Sequence, residues 1–141
     1  MPLSTAITAS ATALDAQRAR IEVAVSNIAN AESTRGPDGQ PYRRRDVVLR
    51  AEPIEPFSDS LGRAEAIGVT VNDIVEDQSP FRRRYEPAHP DADAEGFVAM
   101  PNVDVPEEMV DMLGAARAYQ ANLNAIGLIR ETIQKALELA K

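Results

Sequence analysis

VDVPEEMVDMLGAARAYQANLNAIGLIRETIQKALELAK, Val103 to Lys141, is the stretch whose reading decides the fold. Steps alternating between four and three residues from Val105 land on Met109, Met112, Ala116, Tyr119, Leu123, Ile126, Arg130, Ile133, Leu137 and Ala140. Arg130 alone interrupts the apolar series. Such an alternation is a 3.5-residue repeat, the mark of a coiled-coil seam rather than of the broader stripe on an ordinary globular helix. The segment therefore expects helical partners along its length. Its start is legible too: Asp104 is placed to cap, Pro106 suits the first turn, and Glu107 stands where a capping box takes its acid.

Working outward, a second helix reads over Leu3 to Asn30. Ile7, Leu14, Ile21 and Ile28 are seven apart, Ala11 and Val25 complete the seam, and Arg18 is its interruption. Asn27 and Asn30 close the pattern, and GPDGQP at Gly36 to Pro41 is turn chemistry that no helix crosses. Between the helices the period changes to two: Ile67, Val69 and Val71 alternate with small or polar residues, as do Phe81, Arg83 and Tyr85, while Val47 and Leu49 follow Tyr42 to Arg45. Eight of the ten prolines fall from Pro37 to Pro101, which excludes a large regular sheet. The expected fold is mainly α with a small β-rich insert, its long N- and C-terminal helices paired as a coiled coil. Residues 1–32 and 102–141 supply the two helices and residues 33–101 the insert.

A second face of small residues runs along each helix: Gly114, Ala118, Ala121 and Ala125 on one, Ala6, Ala9, Ala13 and Ala16 on the other. Alanine is the best helix former, and that alone accounts for many of these positions. Gly114 and Gly127 are different, because each costs about 1 kcal/mol against alanine inside a helix and wants a packing reason. Helices packed on more than one side imply several copies of the chain together.

Composition narrows the function. The 141 residues are 44% hydrophobic but only 4% aromatic, which favours helix and close packing over a bulky core. Fifteen Lys and Arg against 22 Asp and Glu leave a net charge of −7, arguing against nucleic acid or an anionic membrane as the main partner. The absence of cysteine removes disulfides, Cys-type zinc sites and thiol catalysis. The N-terminus has no basic region followed by an unbroken apolar one, so a cleavable Sec signal is not expected, and no window reaches the length of a membrane span.

Little here carries chemistry. HPDADAEG places Asp91, Asp93, Glu95 and Gly96 at the first, third, fifth and sixth positions of a calcium loop, but the twelfth is Asn102 instead of a bidentate Glu. The reading preferred is a polar turn whose Asp side chains bind local backbone amides. His89 is the single histidine, which leaves a triad or His-rich metal site without partners. The runs Arg43 to Arg45 and Arg82 to Arg84 read as solvated strand edges or as partners for an acidic neighbouring subunit. No enzyme, cofactor or metal is expected.

Two stretches resemble a known family. VSNIANAESTRGPDGQPYRRRDVVL (Val25 to Leu49) is similar to the signature of bacterial flagellar rod proteins, with Asn27, Ile28, Ala29 and Asn30 closing the helix before a Thr-containing turn and a Tyr-Arg-Arg segment. HPDADAEGFVAMPNVDVPEEMVDMLGAARAYQANLNAI (His89 to Ile126) resembles the diagnostic stretch of the proximal rod family of the flagellar basal body, the FlgC type. Met100, Pro101, Asn102 and Val103, followed by Arg117, Ala118 and Tyr119, make that match specific. Pro106 and Glu95 depart from residues other members often carry.

The resemblance implies a structural subunit of the proximal rod, with paired terminal helices stacking into a tube and the insert outside. It implies export by the flagellar type III apparatus without a cleavable signal, a place in the periplasmic rod, and no insertion into the membrane. The partners it implies are other rod proteins, copies of the same chain and the basal-body ring. The subunit-packing residues expected are Ile7, Leu14, Ile21, Val25, Ile28, Met109, Met112, Tyr119, Leu123, Ile126, Ile133 and Leu137, with Gly114, Ala118 and Ala121 on the small-residue face. A soluble coiled-coil adaptor or export chaperone is the alternative, needing only the seams.

Overall fold

The computed structural model describes residues 3–54 and 66–139. Helix α1 spans Leu3–Ala29, strands β1 (Arg45–Ile54), β2 (Ala66–Glu76), β3 (Arg82–Tyr85) and β4 (Phe97–Met100) follow, and helix α2 (Val105–Leu139) closes the order. The strands form two separate antiparallel pairs, β1 with β2 and β3 with β4. Both long helices and the small size of the sheets agree with the sequence reading. β4 is additional, since FVAM reads as a continuous apolar run without alternation.

Local chemistry sets the helix ends. Asn30 donates to the Ser26 carbonyl twice, from its backbone N–H (3.1 Å) and from Nδ2 (2.8 Å), which fastens the end of α1. At the start of α2 the Glu107 N–H reaches Asp104 Oδ1 (3.4 Å), so Asp104 is the cap. The C-terminal end of α1 meets the N-terminal end of α2 through Asn27 and Glu108, and the helices therefore run antiparallel.

Helix α1 is the centre of the molecule. It packs against α2 on one side and against both strands of the β1–β2 hairpin on another, whereas α2 packs against α1 alone among the described elements. Gly68 permits the close approach of the hairpin: a Cβ there would meet Thr12 Oγ1 at 2.9 Å, and the neighbouring Val69 N–H donates to the same oxygen (3.2 Å). The hairpin thus sits on α1 at Thr12. A bulge between Val48 and Leu49 interrupts the hairpin register. Beyond it the pairs Leu49–Val71, Ala51–Val69 and Pro53–Ile67 lie on the face opposite Gly68, where Ile67 is 61% exposed.

The buried apolar residues are few and mostly small: Ala16, Ala24, Val98, Met100, Val103 and Ala115. The inward stripe of α2 differs from the alternation counted from Val105. Met112, Tyr119, Ile126 and Ile133 are half-buried as expected, but between them the chain turns in Glu108, Ala115, Asn122 and Ile129, while Met109, Ala116, Leu123 and Arg130 are exposed. Arg130 interrupts nothing, because Ile129 occupies the inner place. On α1, Ile7, Leu14, Ile21 and Ile28 are half-buried, whereas Val25 and Arg18 are exposed, and Arg18 pairs along the helix with Glu22 (2.9 Å). Leu137 is exposed and Ala140 lies outside the described residues.

Candidate functional site

Where the helices converge on the insert, five segments meet in a polar cluster. Asn27, fully buried, uses its whole carboxamide. Its Nδ2 donates to Glu108 Oε2 (2.9 Å) and to the Arg45 carbonyl (2.8 Å), and its Oδ1 accepts from the Tyr42 hydroxyl (2.9 Å) and the Arg45 N–H (3.0 Å). Glu108, 2% exposed, takes the Arg44 guanidinium on its other oxygen. Asn102 adds the next link, accepting from the Arg44 N–H (2.8 Å) and donating to the Asp77 carbonyl (3.2 Å). Burial acts to lower the Arg44 pKa, but the hydrogen bond and charge of Glu108 outweigh it and the net shift is upward. Among the described residues no buried side-chain nitrogen or oxygen lacks a partner. A cluster so satisfied is built to hold geometry.

The arginine runs lie at exposed strand edges, as the sequence reading has it, and make pairs within the chain. Arg43 lies over the Phe81 ring at 4.3 Å, and Arg45 pairs with Glu76 at 3.7 Å. Arg82 donates to the Val103 carbonyl (2.8 Å) and approaches Asp104, Arg83 pairs with Asp93 (2.9 Å), and Arg84 pairs with Glu86 (2.9 Å). An open cleft of about 520 Å³ between β3 and the start of α2 is lined by Arg82, Arg83 and Arg84, each already paired.

The HPDADAEG segment is a polar turn. Asp93 Oδ1 accepts the N–H groups of Glu95 and Phe97 (2.9 Å each), and Asp91 accepts the Thr34 hydroxyl (2.9 Å). The Phe97 N–H, then that of Glu95 and the Arg83 guanidinium, hold the Asp93 carboxyl below the usual carboxylate range. Among the described residues no group of three His, Cys, Asp or Glu is placed to hold a metal.

The predicted site residues therefore divide. Asn27 and Asn102 come together at the cluster, while Met100, Pro101 and Val103 are buried beside it, the Val103 carbonyl accepting from Arg82, and Ile28 and Asn30 are half-buried nearby. Ala29 and Arg117 are exposed. Ala118 is half-buried and Tyr119 faces α1, whereas Gly114 and Ala121 stand on the open side of α2. A Cβ built on Gly114 or Gly127 meets nothing within 4 Å, so neither glycine has a packing reason within the described residues. The same open side carries Val110 (68% exposed), Leu113 (52%) and Leu128 (65%). Sequence reasoning missed Glu108 and Arg44; the only local sign was an acid one helical turn from the Asp104 cap.

Comparison with known proteins accords with this geometry. Residues 7–37 match the family model for flagella basal body rod proteins, and residues 94–139 match that for the C-terminal region of flagellar basal body rod FlgEFG proteins. The chain is 45% identical over 129 residues to the flagellar basal-body rod protein FlgC of Escherichia coli O6:H1, covering 92% of this chain and 91% of that one. It is 44% identical to FlgC of Bacillus subtilis, with 94% of each chain covered. It is 37% identical to FlgC of Aquifex aeolicus, over 100% of this chain and 99% of that protein.

Proposed function

The chain belongs to the flagellar basal-body rod protein family, of the FlgC type, and from that premise we propose how it works within the rod. It is a structural subunit of the proximal rod, part of the flagellum basal body, and assembles with other rod components. In our reading residues 1–32 and 102–141 form its inner helical layer, paired with neighbouring helices as coiled coils, and residues 33–101 form the outer insert. It transmits torque, and its neighbours are other rod proteins, copies of itself and the basal-body ring. The flagellar export apparatus delivers it to the periplasmic rod without a cleavable signal, and it performs no catalysis.

The observation that carries the assembly reading is the open side of α2. Thirty-five residues of helix have one packing partner, α1, among the described elements, and leave Met109, Val110, Leu113, Leu123, Leu128 and Leu137 exposed. Each such side chain contributes on the order of 2 kcal/mol when fully buried, so a row of them is a strong drive to association. Gly114 and Ala121, one heptad apart on that side, allow a second helix to come close. Half-buried Ile7, Leu14, Ile21, Ile28, Met112, Tyr119, Ile126 and Ile133 are shared between the internal contact and the neighbours, and exposed Val25 adds to the outer surface. The apolar hairpin face around Ile67 and Val71 offers a second seat. An adaptor or export chaperone is not favoured, since the relatives are rod proteins over nearly their whole length. Deleting the gene and imaging basal bodies tests the proposal: membrane rings should persist without rod, hook or filament. Intact, swimming flagella in the deletion strain would overturn it.

A further inference from the structure

We propose that the Asn27 carboxamide and the Glu108 carboxylate form a register pin that selects one axial alignment of α1 against α2. Three observations converge on it. The fully buried apolar residues of the two helices are all alanines, Ala16, Ala24 and Ala115. Alanines make shallow contacts, which resist sliding far less than interlocking large side chains do. The half-buried larger residues recur every seven positions, Ile7, Leu14, Ile21 and Ile28 on α1 and Met112, Tyr119, Ile126 and Ile133 on α2, so a slip of one heptad again sets apolar residues opposite one another.

The pin itself is position-specific. Both donors and both acceptor sites of the Asn27 carboxamide are used, across a separation of 81 residues to Glu108 and of 18 to Arg45. Any slip strands a buried amide and a buried carboxylate, and such groups are costly without their partners. A buried polar pair in an otherwise permissive helix contact fixes register in this way, at some expense of stability. Because the carboxamide also binds the backbone of Arg45, the pin sets where β1 leaves the helices. Asn27 and Glu108 are positioning residues. The inference does not depend on the rod assignment, although in a rod subunit the alignment decides which exposed faces stand level with a neighbour.

The absence of cysteine allows clean labelling of the full chain. Nitroxides at Glu22→Cys and Glu131→Cys, both exposed and well separated along the axis, report slip by pulsed electron paramagnetic resonance. The parent should give one narrow distance. Asn27→Leu with Glu108→Leu should keep its helix content by circular dichroism while the distribution splits or moves, by up to about 10 Å for one heptad. A single unmoved distance in that folded double variant overturns the pin. Should the double variant fail to fold, Asn27→Ala gives the same readout with the same two outcomes and leaves the Arg44–Glu108 pair in place. Glu108→Gln keeps an oxygen for Asn27 and should retain the single distance; a split there would assign the register to the Arg44 ion pair and overturn the proposal.

Discussion

Gly96 owes its identity to the backbone. Its φ is +83°, and an added Cβ would stand 2.9 Å from Tyr85 Cε2 and 3.2 Å from Pro87 Cβ. The left-handed conformation alone costs an L residue about 1–2 kcal/mol, so Gly96→Ala should lower stability by about that much in denaturant titration. The same turn carries an acid-sensitive contact. Asp93 is held below its ordinary value of 3.8, first by the Phe97 N–H and then by Glu95 and Arg83. With the folded pKa depressed, the contact contributes fully above the unfolded value and is lost as pH falls through the lower folded one. The Phe97 amide resonance should therefore move below about pH 3.8, and Asp93→Asn should abolish that step. The turn was legible because Asp and Gly are local turn formers. The Asn27–Glu108 bond was not, because its partners are 81 residues apart and a pattern of hydrophobicity assigns a glutamate to solvent.

At the scale of the element, a 3.5-residue repeat on α2 admits two overlapping inward series that share Met112, Tyr119, Ile126 and Ile133. Hydrophobicity favours the one with Met109 and Leu123. Packing selects the other, with Glu108, Ala115, Asn122 and Ile129, because α1 presents alanines and a buried Asn27. The sequence shows that α2 is a long helix with more than one apolar side, but which side α1 takes is a property of the pair. The glycines report on the remaining side. With no internal contact to relieve, Gly114→Ala and Gly127→Ala should each stabilise the free chain by about 1 kcal/mol through helix propensity. The same substitutions should weaken assembly if a neighbouring helix comes close there. Purified variants that melt higher while the cells swim worse would separate the two effects; a stabilised chain with unchanged motility would leave the glycines without an assembly role.

At the scale of the whole molecule the two helices are unequally covered among the described elements. α1 is covered by α2 and by the hairpin, and α2 is covered by α1 alone among the described elements. Substitutions at the two surfaces of α2 should consequently fail differently. Ala115, fully buried against α1, has no room for growth, and Ala115→Leu should cost the free chain about 1–3 kcal/mol by overpacking. Leu113→Glu and Leu128→Glu, on the open side, should change the stability of the free chain by no more than about 0.5 kcal/mol. Within the rod the same glutamates would be forced into an apolar contact, where a carboxylate is held only if paired. Chains carrying both glutamates should melt as the parent does, yet leave basal bodies without rod and cells that do not swim. Normal swimming with both charges in place would mean that the open side of α2 faces water in the assembled rod, and the drive to assembly would then have to come from the hairpin face around Ile67 and Val71.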